Sequence, residues 1–501
     1  MLRLAAVPRL AAFCDGVPHG DPSLSLSEVS TSDDLATTRP RYAIVGAGAR
    51  SYLYLRALTG EHAGDGELVG VCDPNPGRRE RAARVAARAG VTIAGFGSED
   101  FGRMLRETGA ERVIVTTPDF THADYIVAAL EAGVDVVTEK PLTIDAESCR
   151  RIVAARRASG RQVRVAFNYR YAPPRTLVKQ VLMSGIIGPV TAVDFEWRLD
   201  THHGADYFRR WHRNRANSGG LFVHKATHHF DLINWWLGST AQTVRARGRR
   251  AFYRPETADA LGLANRGERC TGCAAFGDCK VKLDLTASRS LTALYADNEC
   301  HDGYFRDRCV FSADIDIADT MQAQIAYETG IVANYLLTAY DAAEGYRVVF
   351  HGERGVLTLE TVERPYLAED GGLPSPPLQE TSRVVVQPLF GKPYELAIPF
   401  GEGAHGGGDR VMLEQLFGAV GDDPFGRAAD ERSGAWSALV GIAANASIAS
   451  GAEVSLADLA GDIPRPEAAG APFGPAPAWR SFDLSAYPFL ADATALEAPA
   501  R

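Results

Sequence analysis

The sequence predicts an α/β protein: a parallel, doubly wound sheet, then a second α/β domain on a large, mostly antiparallel sheet. Three observations predict it. Between about residues 41 and 160, short apolar runs alternate with helical stretches, the rhythm of strand-helix-strand crossovers. One of these runs, "YAIVGAG", ends in glycines just before a helix, the context of a dinucleotide fingerprint. After "RQVRVAFNYRYAPP" the texture changes to apolar-polar alternation with Gly-containing turns, as in antiparallel strands with one covered face.

A chain of 501 residues exceeds one ordinary core, and at roughly 150 residues per domain it holds two or three. A hydrophobic content of 46% fits a globular protein, and a net charge of -9 argues against a nucleic-acid partner. No apolar run is long enough to span a membrane. Prolines interrupt the apolar patch of "MLRLAAVPRLAAFCDGVPHG" and no cleavage site follows it. Residues 1–40 therefore read as a mobile arm, or as the product of a mis-assigned start codon. A cytoplasmic location is expected, and with it reduced thiols at the eight cysteines.

From Tyr42 a strand leads through Gly46 to Arg50 into a helix that ends near Leu58. "ELVGVCDPNP" forms the next strand, ending at Asp73, and an alanine-rich helix follows. "ERVIVTTPDF" is a strand, "HADYIVAALEAG" a helix and "DVVTEKP" a strand, which completes a dinucleotide-binding domain over 41–160. The second domain, 161–462, places strands in "PVTAVDFEWRLD", "DTMQAQIAYETGIVANYLLTAY", "YRVVFHGERGVLTLE" and "SRVVVQPL". It carries a cysteine-rich insert at about 260–310. Residues 463–501 are rich in Pro and Ala and form a tail.

In the first turn, Gly46 permits the tight bend, Gly48 lets the backbone approach a pyrophosphate, and the helix start supplies N–H groups. Ser51 stands where a third glycine is usual. At the end of the second strand, the Asp73 carboxylate can accept hydrogen bonds from ribose hydroxyls and would repel a 2'-phosphate. NAD is thus favoured over NADP, although Arg78 and Arg79 stand close by.

"SGGLFVHKATHHFDLINWWLG", residues 218–238, reads as one amphipathic helix with Ser218 at its start and Gly238 at its end. At 100 degrees per residue, His224, His228, Asp231 and Trp235 share a stripe, opposite Phe222, Ala226, Phe230, Ile233 and Leu237. Lys225 and His229 lie on a flank. Hydrogen-bonded core histidines are the plain reading, and a His-x3-His metal pair lacks the HExxH glutamate.

"GAGAR", "TTPDFTHADYIVAALEAGVDVVTEKPL" and "SGG...THHFDLINWWLG" together resemble the Gfo/Idh/MocA family of glucose-fructose oxidoreductases and inositol dehydrogenases, over about residues 41–350. The resemblance implies a Rossmann domain followed by an open-sheet α/β domain. It also implies an NAD-dependent oxidoreductase that takes a hydride from a secondary hydroxyl of a sugar, sugar derivative or cyclitol. By the same resemblance Lys140 of Glu-Lys-Pro orients substrate and supports proton transfer, and His228 accepts the hydroxyl proton.

Around these two, Ala49, Arg50, Thr117, Pro118, His122 and Glu139 are expected at the cofactor. Asn168 and Arg170 of "FNYRY", with His224, Lys225 and His405, are expected at the substrate. One departure stands out: many family members carry aspartate where this chain has His224. A homodimer or homotetramer is implied by analogy with the paired sheets of the family.

Two alternatives remain open. "HGGGD", His405 to Asp409, resembles a segment of NAD-dependent glycoside hydrolases of the same fold and is otherwise a glycine-rich helix entry; that branch would make the protein a hydrolase or lyase working through transient oxidation. The other alternative is a non-enzymatic NAD sensor. In the insert, the spacing of Cys270, Cys273 and Cys279, with Cys309 or Cys300 as a fourth thiol, allows a structural zinc site or an iron-sulfur cluster; unligated thiols are the other reading.

Overall fold

The structure, a computed structural model, describes residues 39–399, 404–418, 421–467 and 494–495. The expected arm thus lies almost wholly outside the described residues, as does most of the expected tail. Six strands in the first third of the chain are β1 (Arg41–Val45), β2 (Glu67–Cys72), β3 (Ala94–Phe96), β4 (Arg112–Val115), β5 (Asp135–Thr138) and β6 (Val163–Val165). The second sheet begins with β7 (Val190–Asp200), β8 (Ala241–Arg249), β9 (Thr320–Tyr327), β10 (Val332–Asp341) and β11 (Glu344–Gly352). After it come β12 (Gly355–Arg364), β13 (Thr381–Pro388), β14 (Tyr394–Leu396), β15 (Ala429–Asp430), β16 (Val454–Ser455) and β17 (Thr494–Ala495).

The first sheet has the order β15-β6-β5-β4-β1-β2-β3. It is parallel apart from β15, which pairs antiparallel with β6. Its strands are apolar runs because helices cover both faces. Strand β6 falls after residue 160, so this sheet draws on the chain beyond the boundary expected for the first domain. The order reverses between β1 and β4, where open parallel sheets bind ligands. Register sets Val45 beside Cys72 and Val115 beside Thr138. Gly46, Asp73, Thr116 and Glu139 therefore leave the sheet along one edge.

The second sheet runs β16-β8-β9-β10-β7-β11-β12-β13-β14-β17, open and antiparallel except for the β7–β10 pair. Along β9 and β10, buried residues alternate with more exposed ones. The buried face carries the helices Thr227–Leu237 and Glu431–Ser450. One apolar core runs from Val113, Ile126 and Leu142 of the first domain into Phe195, Trp197 and Tyr346 of the second. That continuity fixes the two halves of the site against each other.

The histidine-rich stretch is not one helix. Ser218 ends a short helix at Arg215–Ser218, and Gly219 and Gly220 then turn with φ of 67° and 74°. Those left-handed glycines restart the chain. Helix Leu221–His224 follows, then a break at Lys225 and Ala226, then Thr227–Leu237. Gly238, at φ 60°, closes the last helix as expected.

Candidate active site

A cleft of about 590 Å³ opens along the edge where the first sheet meets the histidine helices. Gly46, Gly48, Ala49, Arg50 and Asp73 line one end. Gly46 has φ 88°, and a Cβ there would lie 2.7 Å from the carbonyl carbon of Thr116. Gly48 faces open space instead, with nothing within 4 Å of an added Cβ. Helix Ser51–Leu58 begins just beyond, and the Ser51 hydroxyl donates to the Gly48 carbonyl at 2.7 Å. Asp73 accepts the Ala47 N–H at 2.7 Å and the Asn75 N–H at 2.8 Å, which aims its carboxylate across the turn. An open glycine, a helix start and a strand-end carboxylate fit a dinucleotide's pyrophosphate and ribose.

At the middle of the cleft stands Lys140, joined to Pro141 by a cis peptide. Its ammonium donates to the His224 carbonyl at 3.1 Å. Burial pulls the Lys140 ammonium down to about 8, while Asp119 and Glu139 act to keep its proton on. Glu139 accepts hydrogen bonds from Arg50 at 2.5 Å and from the Tyr54 hydroxyl at 2.7 Å. Burial alone would raise the Glu139 carboxyl, and Arg50 beside it holds it below the usual range. Pro118 and Thr117 also line the cleft. His122 does too, but its ring nitrogens lie 2.9 Å from the carbonyls of Thr117 and Pro141, so it ties two loops together.

His228 faces the cleft from the second domain, stacked on Tyr169 with ring centroids 4.0 Å apart and planes at 10°. Lys225 donates to the Tyr169 hydroxyl at 2.9 Å and lies over Trp197. His224 points to Asp119, Nδ1 to Oδ2 2.5 Å, with both groups buried. Burial pushes the Asp119 carboxyl well up and the His224 imidazole well down. His229 leaves the cleft altogether: its Nδ1 meets the Tyr335 hydroxyl at 2.7 Å inside the aromatic core.

One expectation changes. Arg170 was expected at the substrate, yet its guanidinium is buried against Asp231, with contacts of 2.8 and 2.6 Å, and it does not line the cleft. Asn168 does line it, donating to Asp409 at 2.7 Å. His405 lies in the turn Ala404–Gly407, its side chain outside the described residues.

Cys270, Cys273, Cys279 and Cys309 share one small apolar pocket. Among the described residues, however, no group of three or more His, Cys, Asp or Glu side chains is arranged to hold a metal ion. The expectation of a zinc or iron-sulfur site is corrected accordingly. Two of these sulfurs accept backbone N–H groups, Cys273 from Gly267 at 3.2 Å and Cys270 from Leu283 at 3.4 Å. Burial pushes the Cys270 and Cys279 thiols up.

Sequence reasoning missed several cleft residues: Asp119, Tyr169, His203, Tyr207, Arg210, Trp211 and His212, with Tyr295, Asp302 and Tyr304 of the insert. Only Asp119 and Tyr169 carried a local signal, each lying inside a motif already singled out.

Residues 40–167 match the description "Oxidoreductase family, NAD-binding Rossmann fold", and residues 179–456 match "Oxidoreductase family, C-terminal alpha/beta domain". The chain is 33% identical over 413 residues to YteT of Bacillus subtilis (strain 168), an oxidoreductase by name, covering 79% of this chain and 93% of that one. It is 30% identical over 210 residues to the scyllo-inositol 2-dehydrogenase (NAD(+)) of the same organism, covering 42% of this chain and 57% of the relative.

Among solved structures, the aldose-aldose oxidoreductase of Caulobacter crescentus, complexed with glycerol, superposes with a TM-score of 0.54 at 17% identity, covering 83% of this chain and 99% of that one. The WlbA dehydrogenase of Bordetella pertussis, in complex with NADH and UDP-GlcNAcA, does so with 0.55 at 19%, covering 83% and 98%. Sheet order, glycine turn and family match agree, and the chain belongs to the Gfo/Idh/MocA oxidoreductase family.

Proposed function

We propose that this oxidoreductase takes a hydride from a secondary hydroxyl of a sugar, sugar derivative or cyclitol and passes it to NAD. The observation that carries this reading is the meeting of Lys140 with the His224 carbonyl, which brings a strand-end ammonium and His228 into one cleft beside the glycine turn. Gly46, Gly48, Ala49 and Asp73 would hold the dinucleotide, which when bound supplies the nicotinamide that accepts the hydride.

The chain's own work is positioning and proton transfer. Lys140 donates a hydrogen bond to the substrate oxygen and holds it toward the first domain. His228, braced by the Tyr169 ring, accepts the hydroxyl proton as the C–H bond yields its electron pair. The hydroxyl proton thus leaves to imidazole, the hydride leaves to nicotinamide, and a carbonyl remains. Asn168 and Lys225 present donors at the substrate end.

We place the enzyme in the cytoplasm, a reading supported by seven free cysteines among the described residues. We also read it as a homo-oligomer, since Val332 and Leu336 are exposed on the uncovered sheet face.

The test is a panel of polyols, cyclitols and neutral and acidic sugars, each mixed with NAD and followed by NADH absorbance. Stoichiometric NADH with a matching keto product supports the reading. Cleavage of a glycoside without net NADH would replace it with a hydrolase or lyase that returns the hydride.

A further inference from the structure

The insert does more than sit on the second sheet. Its segment from Arg289 to Tyr304 crosses to the first domain and lies on the helices that follow β1 and β2. Leu294 and Tyr295 pack with Tyr52 in an apolar cluster separate from both main cores, flanked by Val85, Leu291 and Tyr304. Polar contacts join the same surfaces: the Asn75 side chain donates to the Asn298 carbonyl at 3.0 Å, and the Ala49 N–H to the Tyr295 hydroxyl at 3.3 Å. Tyr295, Asp302 and Tyr304 line the cleft together with Gly48 and Asp73.

The charges at this corner are specific. Arg78 binds Asp73 at 3.2 Å through Nε and binds Asp302 through its other arm. One guanidinium thus faces two carboxylates at the place where a ribose 2'-substituent lies. Arg79 does not line the cleft, and its Nη1 donates to the backbone carbonyls of Asp73 and Pro74. Left alone, Arg78 is the kind of side chain that receives a 2'-phosphate. Asp302 occupies it.

We propose that this segment of the insert is the outer wall of the dinucleotide site: Tyr295 faces the pyrophosphate, and Asp302 selects a 2'-hydroxyl over a 2'-phosphate by engaging Arg78. The proposal rests on the NAD-dependent reading of the cleft. It gives the insert a task that the two-domain scaffold does not require of it.

The test titrates the full-length protein with NADH and with NADPH, following nicotinamide fluorescence, so that no substrate is needed. Asp302→Asn is isosteric, and its folding is checked by thermal melting. Releasing Arg78 and removing one negative charge should shift the ratio of the two Kd values toward NADPH by about fivefold or more. Asp302→Glu, which keeps the charge, should retain the wild-type ratio. Tyr295→Phe should weaken both nucleotides alike, since both carry the pyrophosphate. A folded Asp302→Asn with an unchanged ratio overturns the proposal. If the wild-type protein binds neither dinucleotide, the NAD reading itself fails, which is a distinct result.

Discussion

The imidazole of His224 meets the carboxyl of Asp119 at 2.5 Å, across 105 residues of sequence, with both groups buried. Asp119 comes from the loop after β4 and His224 from the end of helix Leu221–His224. His224→Asp would put two carboxyl groups in contact, a like-charge arrangement that a buried site tolerates badly. We expect it to lower kcat/KM by about 100-fold or more, on the scale of 3 kcal/mol. The reversed pair, Asp119→His with His224→Asp, should recover part of the loss in initial-rate measurements; no recovery would mean that the two residues act independently.

Lys140 sets the pH dependence. Burial lowers its ammonium from the usual lysine value to about 8, so the side chain is charged below that pH and becomes an amine above it. The ammonium is the form that donates to the substrate oxygen in the proposed step, and kcat/KM for oxidation should therefore fall as pH rises through about 8. Lys140→Arg cannot lose its proton in this range. Its pH profile should be flat there, and an inflection that survives the substitution would assign it to another group.

Arg170 and Asp231 form a structural pair. Arg170→Ala leaves the buried Asp231 carboxylate without its guanidinium, a loss of about 3–5 kcal/mol. Denaturant unfolding should show that loss. KM measured on whatever fraction folds should stay within about twofold of wild type, because the side chain does not reach the cleft. A large KM effect with unchanged stability would return Arg170 to the substrate.

The two turn glycines should separate folding from binding. Gly46→Ala places a Cβ 2.7 Å from the Thr116 carbonyl carbon at φ 88° and should cost both stability and NADH affinity. Gly48→Ala meets nothing within 4 Å in the protein. Its melting temperature should match wild type, while NADH titration shows weaker binding where the methyl meets the pyrophosphate.

Much of the fold was legible because it follows from local periodicity. Apolar runs between helices made β1, β2, β4 and β5 readable, and alternation made β7 and β9 through β13 readable. Gly46 and Asp73 were readable from the glycine turn and the strand end, while Lys140 and His228 were singled out by the family resemblance.

What escaped depends on contacts between distant residues. Nothing near Arg170 announces Asp231 as its partner, and the break at Lys225 depends on the restart at Gly219 and Gly220 and on packing against the sheet. The cysteine spacing allowed a metal site, while the described arrangement leaves the thiols in an apolar pocket. Tyr295 and Asp302 were invisible as cofactor neighbours because the insert reaches back over 220 residues to Arg78.

The central claim is that Lys140 and His228 perform the proton chemistry of an NAD-linked oxidation. It is tested most directly by single-turnover NADH formation in Lys140→Ala and His228→Ala, with an active substrate and with NADH affinity measured in parallel. The account predicts that each variant binds NADH as wild type does and forms NADH about 100- to 10,000-fold more slowly. Wild-type rates in either variant, with affinity unchanged, would contradict it.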